Sequence, residues 1–115
     1  PGMLVSTLML EHMGYHVETA TSGTEAIDKV EAASTPFLAI LMDVNMRDMS
    51  GCEATTYIRA LEQEKGYSNV IIAVTAHALT GDRDRFLEAG MNDYVSKPIN
   101  FDILAAKLTK LIPSL

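Results

Sequence analysis

Two short apolar runs and a third strand-like segment, each leading into a residue capable of chemistry, constrain this chain more than anything else in it. Phe37-Leu38-Ala39-Ile40-Leu41-Met42 runs into Asp43, Val70-Ile71-Ile72-Ala73-Val74 into Thr75, and Asp93-Tyr94-Val95-Ser96 into Lys97-Pro98. Runs this short and this apolar fit strands buried on both faces, as in a parallel sheet covered by helices. In open α/β sheets ligands bind beyond the carboxyl ends of the strands. With these strands parallel and adjacent, a carboxylate, a hydroxyl and an ammonium converge on one edge. That set suits phosphoryl chemistry on an aspartate.

The segments between the runs carry helical periods. Leu4, Val5, Leu8, Met9 and Met13 predict a first helix over about 3–13, with Gly14 as its stop, and 15–20 alternates like a strand. Ser22 and Glu25 stand at capping-box spacing ahead of the stripe Ala26, Ile27, Val30, Ala33, and Ser50 and Glu53 repeat the device before Ala54, Ile58 and Leu61. Gly66 ends that helix. A shorter polar helix is expected over about 80–89, stopped by Gly90. A last one is capped by Asn100, carries Phe101, Leu104, Ala105, Leu108, Leu111 and Ile112, and ends before Pro113. The expected order is α-β-α-β-α-β-α-β-α. Doubly wound domains open on a strand, so a strand is expected ahead of Pro1 and missing from this chain.

Length and charge narrow the function classes. A chain of 115 residues is expected to form one domain, 1–115. A net charge of −6 with scattered basic residues argues against a nucleic-acid binder. The single cysteine, Cys52, has no partner for a disulfide or a zinc site, and His12, His16 and His77 fall on unrelated segments. No apolar run is long enough for a membrane span and no signal peptide is evident. The expectation is a cytoplasmic domain without direct membrane insertion, or the cytoplasmic end of a membrane-bound sensor.

The stretch Leu41-Met42-Asp43-Val44-Asn45-Met46 with Ser50-Gly51, then Val74-Thr75-Ala76, then Ala89-Gly90-Met91-Asn92-Asp93-Tyr94-Val95-Ser96-Lys97-Pro98-Ile99, resembles the receiver (response-regulator) domain of two-component signalling. Gly14-Tyr15 with Val17, and the segment 20–26, extend the resemblance over essentially the whole chain. In style it is most similar to receivers of hybrid histidine kinases. The resemblance implies a flavodoxin-like (CheY-like), doubly wound parallel sheet of strand order 2-1-3-4-5 with helices on both faces. It also implies a function: taking a phosphoryl group from a partner's phosphohistidine onto Asp43 and changing conformation. The partner would be a sensor histidine kinase or a histidine phosphotransfer protein.

Within that resemblance Asp43 is the nucleophile, and Lys97 pairs with it at rest and with the phosphoryl oxygens afterwards. The bond to Pro98 is expected to be cis. Thr75 donates its hydroxyl to the phosphoryl group, Ala76 leaves room for the donor, and Tyr94 is the aromatic switch that follows Thr75. Magnesium, a hard cation, takes the Asp43 carboxylate and the Asn45 backbone carbonyl. Receivers add an acidic pair after their first strand, which nothing in Pro1-Gly2 supplies. Arg47 is a second departure, at a position where the family usually has proline.

The missing strand is the central one in the implied sheet, which raises strand exchange between chains into a dimer. It also raises the alternative reading, a pseudo-receiver that no longer binds magnesium and serves as an interaction module. An enzyme on a similar fold is the other rival. Against it, an aspartate-nucleophile phosphatase needs a second acid where this chain has Asn45, and no Gly-rich phosphate loop is present.

Overall fold

The computed structural model describes residues 22–34, 37, 39–46, 48–76 and 82–112. They form helix α1 (Gly23–Ala32), strand β1 (Ile40–Asp43), helix α2 (Gly51–Lys65), strand β2 (Ile71–Thr75), helix α3 (Asp82–Ala89), strand β3 (Asp93–Ser96) and helix α4 (Phe101–Leu111). The three strands make one parallel sheet in the order β1-β2-β3. This is the strict alternation of an α/β crossover architecture, a partial flavodoxin-like sheet. The expected first helix over 3–13 and strand over 15–20 lie outside the described residues. So does the start of the helix expected from residue 80.

Local chemistry sets the boundaries. The Ser22 hydroxyl accepts from the Glu25 N–H and the Ser50 hydroxyl from the Glu53 N–H, each at 3.1 Å, so both predicted caps form. α2 stops at Gly66, whose φ of 82° is a left-handed conformation that costs glycine little. Asn100 caps α4 by accepting from the N–H groups of Asp102 and Ile103. Within the apolar run from Phe37, strand β1 is described from Ile40 on, and ahead of it the Phe37 N–H donates to the Asn69 side chain at 2.6 Å.

Side-chain alternation divides the core between two faces. Leu41, Ile72, Val74 and Val95 pack with Leu104 and Leu108 of α4. Met42, Ile71 and Ala73 pack on the other face with Ala26 and Val30 of α1, Ala54 and Ile58 of α2, and Phe86 of α3. All five residues of β2 are buried. Among the described residues no helix is long and apolar enough to cross a membrane.

At the amino edge of the sheet a polar network ties these layers together. The Arg59 guanidinium donates to Glu62, to the carbonyls of Gly90 and Asn69, and to the Asn92 side chain, at 2.7 to 3.0 Å. Glu62, 4% exposed, also accepts from the Asn69 backbone N–H and side-chain amide. The carboxyl edge carries different chemistry.

Candidate functional site

The parallel register brings the three strand ends into line. Asp43, the last residue of β1, is paired with Val74, and Thr75, the last residue of β2, with Ser96. The Lys97 N–H then donates to the Thr75 carbonyl at 2.7 Å, which extends the ladder one step past β3. Lys97 therefore stands at the same edge as Asp43, with β2 between their strands. Its ammonium reaches across and donates to Asp43 Oδ2 at 2.9 Å. The bond from Lys97 to Pro98 is cis.

The other carboxylate oxygen is held locally. Asp43 Oδ1 accepts from the Asn45 N–H at 2.9 Å. Asn45 belongs to a short closed loop, in which it bridges Ser50 in antiparallel fashion and the Gly51 N–H donates to the Val44 carbonyl at 3.1 Å. Asp43 is thus a mostly buried carboxylate fixed by a main-chain donor on one oxygen and a cation on the other. Such a group is an oriented oxygen nucleophile beside a charge that can neutralise an incoming anion.

Thr75 is buried at the end of β2, and Tyr94 is half-buried on β3. The pairing of Tyr94 with Ala73 puts Tyr94 and Thr75 on the same face of the sheet. The Tyr94 ring lies 6.1 Å from that of Phe86 and has the Lys107 ammonium 4.8 Å from its centroid. Lys107 also donates to Asp93 and to the Tyr94 carbonyl, so α4 holds β3 at this residue. Sequence reasoning gave Lys107 no part, since a lysine on a helix reads as solvated.

It also passed over Asp48. That side chain accepts from the N–H groups of Gly23 and Thr24, each at 2.8 Å, and from the Thr24 hydroxyl at 2.5 Å. The Thr24 hydroxyl, then the two main-chain donors, hold the Asp48 carboxyl far below the usual carboxylate range. A carboxylate depressed on folding adds stability that is present above its unfolded value and lost as pH falls through its folded one. The stability gap between the protein and Asp48→Ala is therefore expected to be constant near neutrality and to narrow below about pH 4. Urea midpoints across that range check it; a gap that widens with acid would contradict the assignment.

The donors fit a magnesium ion in kind. The Asp43 carboxylate and Asn45 carbonyl are hard oxygens, and magnesium is usually held by one or two carboxylates while keeping several waters. Among the described residues no group of three or more His, Cys, Asp or Glu side chains gathers to hold a metal. Cys52, half-buried on the first turn of α2, has its thiol pushed up by desolvation, which Arg85 only partly opposes, so it stays protonated at neutral pH.

Comparison with known proteins adds a second line of observation. Residues 3–109 match the family described as response regulator receiver domain. The chain is 40% identical over 116 residues to hybrid signal transduction histidine kinase I of Dictyostelium discoideum, covering 95% of this chain and 7% of that protein. It is 41% identical over 105 residues to the signal transduction histidine-protein kinase BarA of Escherichia coli, covering 91% of this chain and 11% of that protein. The chain thus spans only a small part of these relatives. Among solved structures, it is similar to the receiver domain of a Pseudomonas aeruginosa sensor histidine kinase, which has a magnesium ion coordinated in the active-site cleft. The TM-score is 0.79 and the identity 41%, over 93% of this chain and 84% of that one. It is also similar to a chain in the Saccharomyces cerevisiae complex of the histidine phosphotransfer protein Ypd1 with the receiver domain of Ssk1, with a TM-score of 0.82 and 28% identity over 95% and 79%.

Proposed function

This chain belongs to the response regulator receiver family, a module of two-component signal transduction, and from that premise we propose that Asp43 is its phosphoacceptor. An Asp43 carboxylate oxygen attacks the phosphorus of a partner's phosphohistidine. The O–P bond forms as the P–N bond breaks, and the imidazole leaves. Lys97 neutralises charge on the transferred group, and the Thr75 hydroxyl donates to one of its oxygens. Tyr94 follows Thr75 along the face they share. The observation that carries this reading is the 2.9 Å contact between Lys97 Nζ and Asp43 Oδ2 at the carboxyl edge of the sheet.

The Asp43 carboxylate and the Asn45 carbonyl are the residues here that would hold magnesium. Bound there, the ion would stabilise negative charge in the transfer. The similarity to a magnesium-bearing receiver supports this assignment. The partner is a sensor histidine kinase or a histidine phosphotransfer protein, a reading supported by the kinase relatives and by the Ypd1–Ssk1 complex. Its place of action is the cytoplasm, as the receiver part of a sensor kinase or a separate regulator. The domain catalyses its own phosphorylation and has no external substrate.

Intact mass after incubation with magnesium and acetyl phosphate tests the reading. One added phosphoryl group is expected, and none on Asp43→Asn. A folded protein that gains no mass would instead be a pseudo-receiver, an interaction module without phosphoryl turnover.

A further inference from the structure

The loop that follows Asp43 is tied down at both ends. At its base are the Asn45–Ser50 bridge, the Gly51 to Val44 hydrogen bond and the Asn45 N–H on Asp43. Its tip lies against the start of α1, through the three hydrogen bonds into the Asp48 carboxylate. Met49 seals the same junction, since a Cβ on Gly23 would collide with its Cγ and Sδ. Helix α1 does not depend on Asp48 for its cap, because Ser22 already accepts the Glu25 N–H. The Thr24 main-chain donor taken by Asp48 is exposed, and water would satisfy it without a partner. What Asp48 adds is a fixed place for the loop.

We propose that Asp48 is a positioning residue: by fastening the loop tip to Gly23 and Thr24, it holds Asn45 against Asp43 and keeps both in place for phosphoryl transfer. The second half of this inference rests on Asp43 being the phosphoacceptor; the first half does not. Because the closures at the loop base tie Val44 and Asn45 to Gly51 and Ser50 beside Asp48, movement of Asp48 can reach Asn45 through them. A released Asp48 therefore loosens the Asn45 N–H from Asp43 Oδ1 and disperses the carbonyl that shares the residue. The geometry makes Thr24 the partner whose loss should weaken the same tie.

Amide hydrogen exchange and phosphorylation kinetics on the full chain test this together. Asp48→Ala is expected to speed exchange at the Asn45 and Gly51 amides about tenfold, and clearly more than at the β2 amides, which follow only the global loss of stability. Phosphorylation by acetyl phosphate should slow by a similar factor. Thr24→Val should give a smaller change in the same direction, and the double variant should be no worse than Asp48→Ala alone. Unchanged exchange at Asn45, or equal acceleration in β2, would overturn the proposal, the second by reducing Asp48 to a general stabiliser. So would additive effects of the two substitutions. A parent chain that takes no phosphoryl group would count against Asp43 as acceptor, while the exchange data still decide whether the loop is held as stated.

Discussion

Arg59→Leu is expected to lower the unfolding free energy by about 3–5 kcal/mol. The guanidinium serves four acceptors on three segments: Glu62 of α2, the Asn69 carbonyl before β2, and the Gly90 carbonyl and Asn92 side chain of the connection between α3 and β3. Its loss leaves Glu62, 4% exposed, as a buried carboxylate with only Asn69 to satisfy it. Removing one partner of a buried pair costs much more than the pair contributes when intact, because the other charge is stranded in a poor solvent. For a domain whose whole stability is about 5–15 kcal/mol, such a loss approaches unfolding. Guanidinium midpoints at an unchanged slope would measure it. Adding Glu62→Gln to Arg59→Leu should recover part of the loss, since the amide oxygen can still accept from Asn69 without carrying charge. A double variant less stable than Arg59→Leu would show that stranded charge is not the cause.

Gly51→Ala is expected to cost about 1–3 kcal/mol or more and to disturb Asp43 directly. A Cβ at this position would sit 2.5 Å from the Asp43 carbonyl oxygen and 3.0 Å from both Met42 Cγ and Val44 Cα. Two of these three atoms are main chain, in or beside a strand pinned to β2 by the Asp43–Val74 register and by the Val44 N–H on the Val74 carbonyl. The start of α2 would have to withdraw, taking Ser50 and the Asn45–Ser50 bridge with it. Gly66→Ala makes the useful contrast. It has open space around it but a φ of 82°, so it should cost only about 1 kcal/mol and leave Asp43 untouched. Thermal unfolding of both, with the phosphorylation proposed for Asp43 as a second readout, separates crowding from backbone strain. Equal effects of the two on phosphorylation would sink the argument.

What could be read from the sequence follows the range of the interactions. Both serine caps, the Gly66 stop, the Asn100 cap and the alternation of strands with helices are set by residues within a few positions of each other, and all were legible. The meeting of Asp43 with Lys97 was legible for another reason: parallel strands of similar length end at one edge, so their terminal residues are brought together by topology. Arg59 was not. Beside Glu62 at i,i+3 it looks like a solvated helix pair, and its other three acceptors lie 10, 31 and 33 residues away. Asn69 and Asn92, each standing just before a strand, were the available hint, because such positions carry main-chain groups in need of partners. Asp48 was missed in the same way, its partners being 24 and 25 residues back in the chain. A loop carboxylate gives no local sign of which helix start it will meet.

Asp43 and Lys97 are 54 residues apart in sequence, and the strands that carry them do not touch each other. Their contact closes only when β2 has been laid between them and the crossovers through α2 and α3 are complete. Contacts of such separation bear a large loop-closure entropy and are not formed by local collapse. No fragment ending before β3 can therefore assemble the pair, and a partly folded chain presents an aspartate without its cation. On the reading proposed for Asp43, competence to accept a phosphoryl group is then a property of the finished fold alone. On that reading the fraction of molecules that respond to a phosphodonor would be a census of the native population. A substitution anywhere that shifts the folding equilibrium, Arg59 at the far edge included, would register as a weaker signal before any residue of the site had changed.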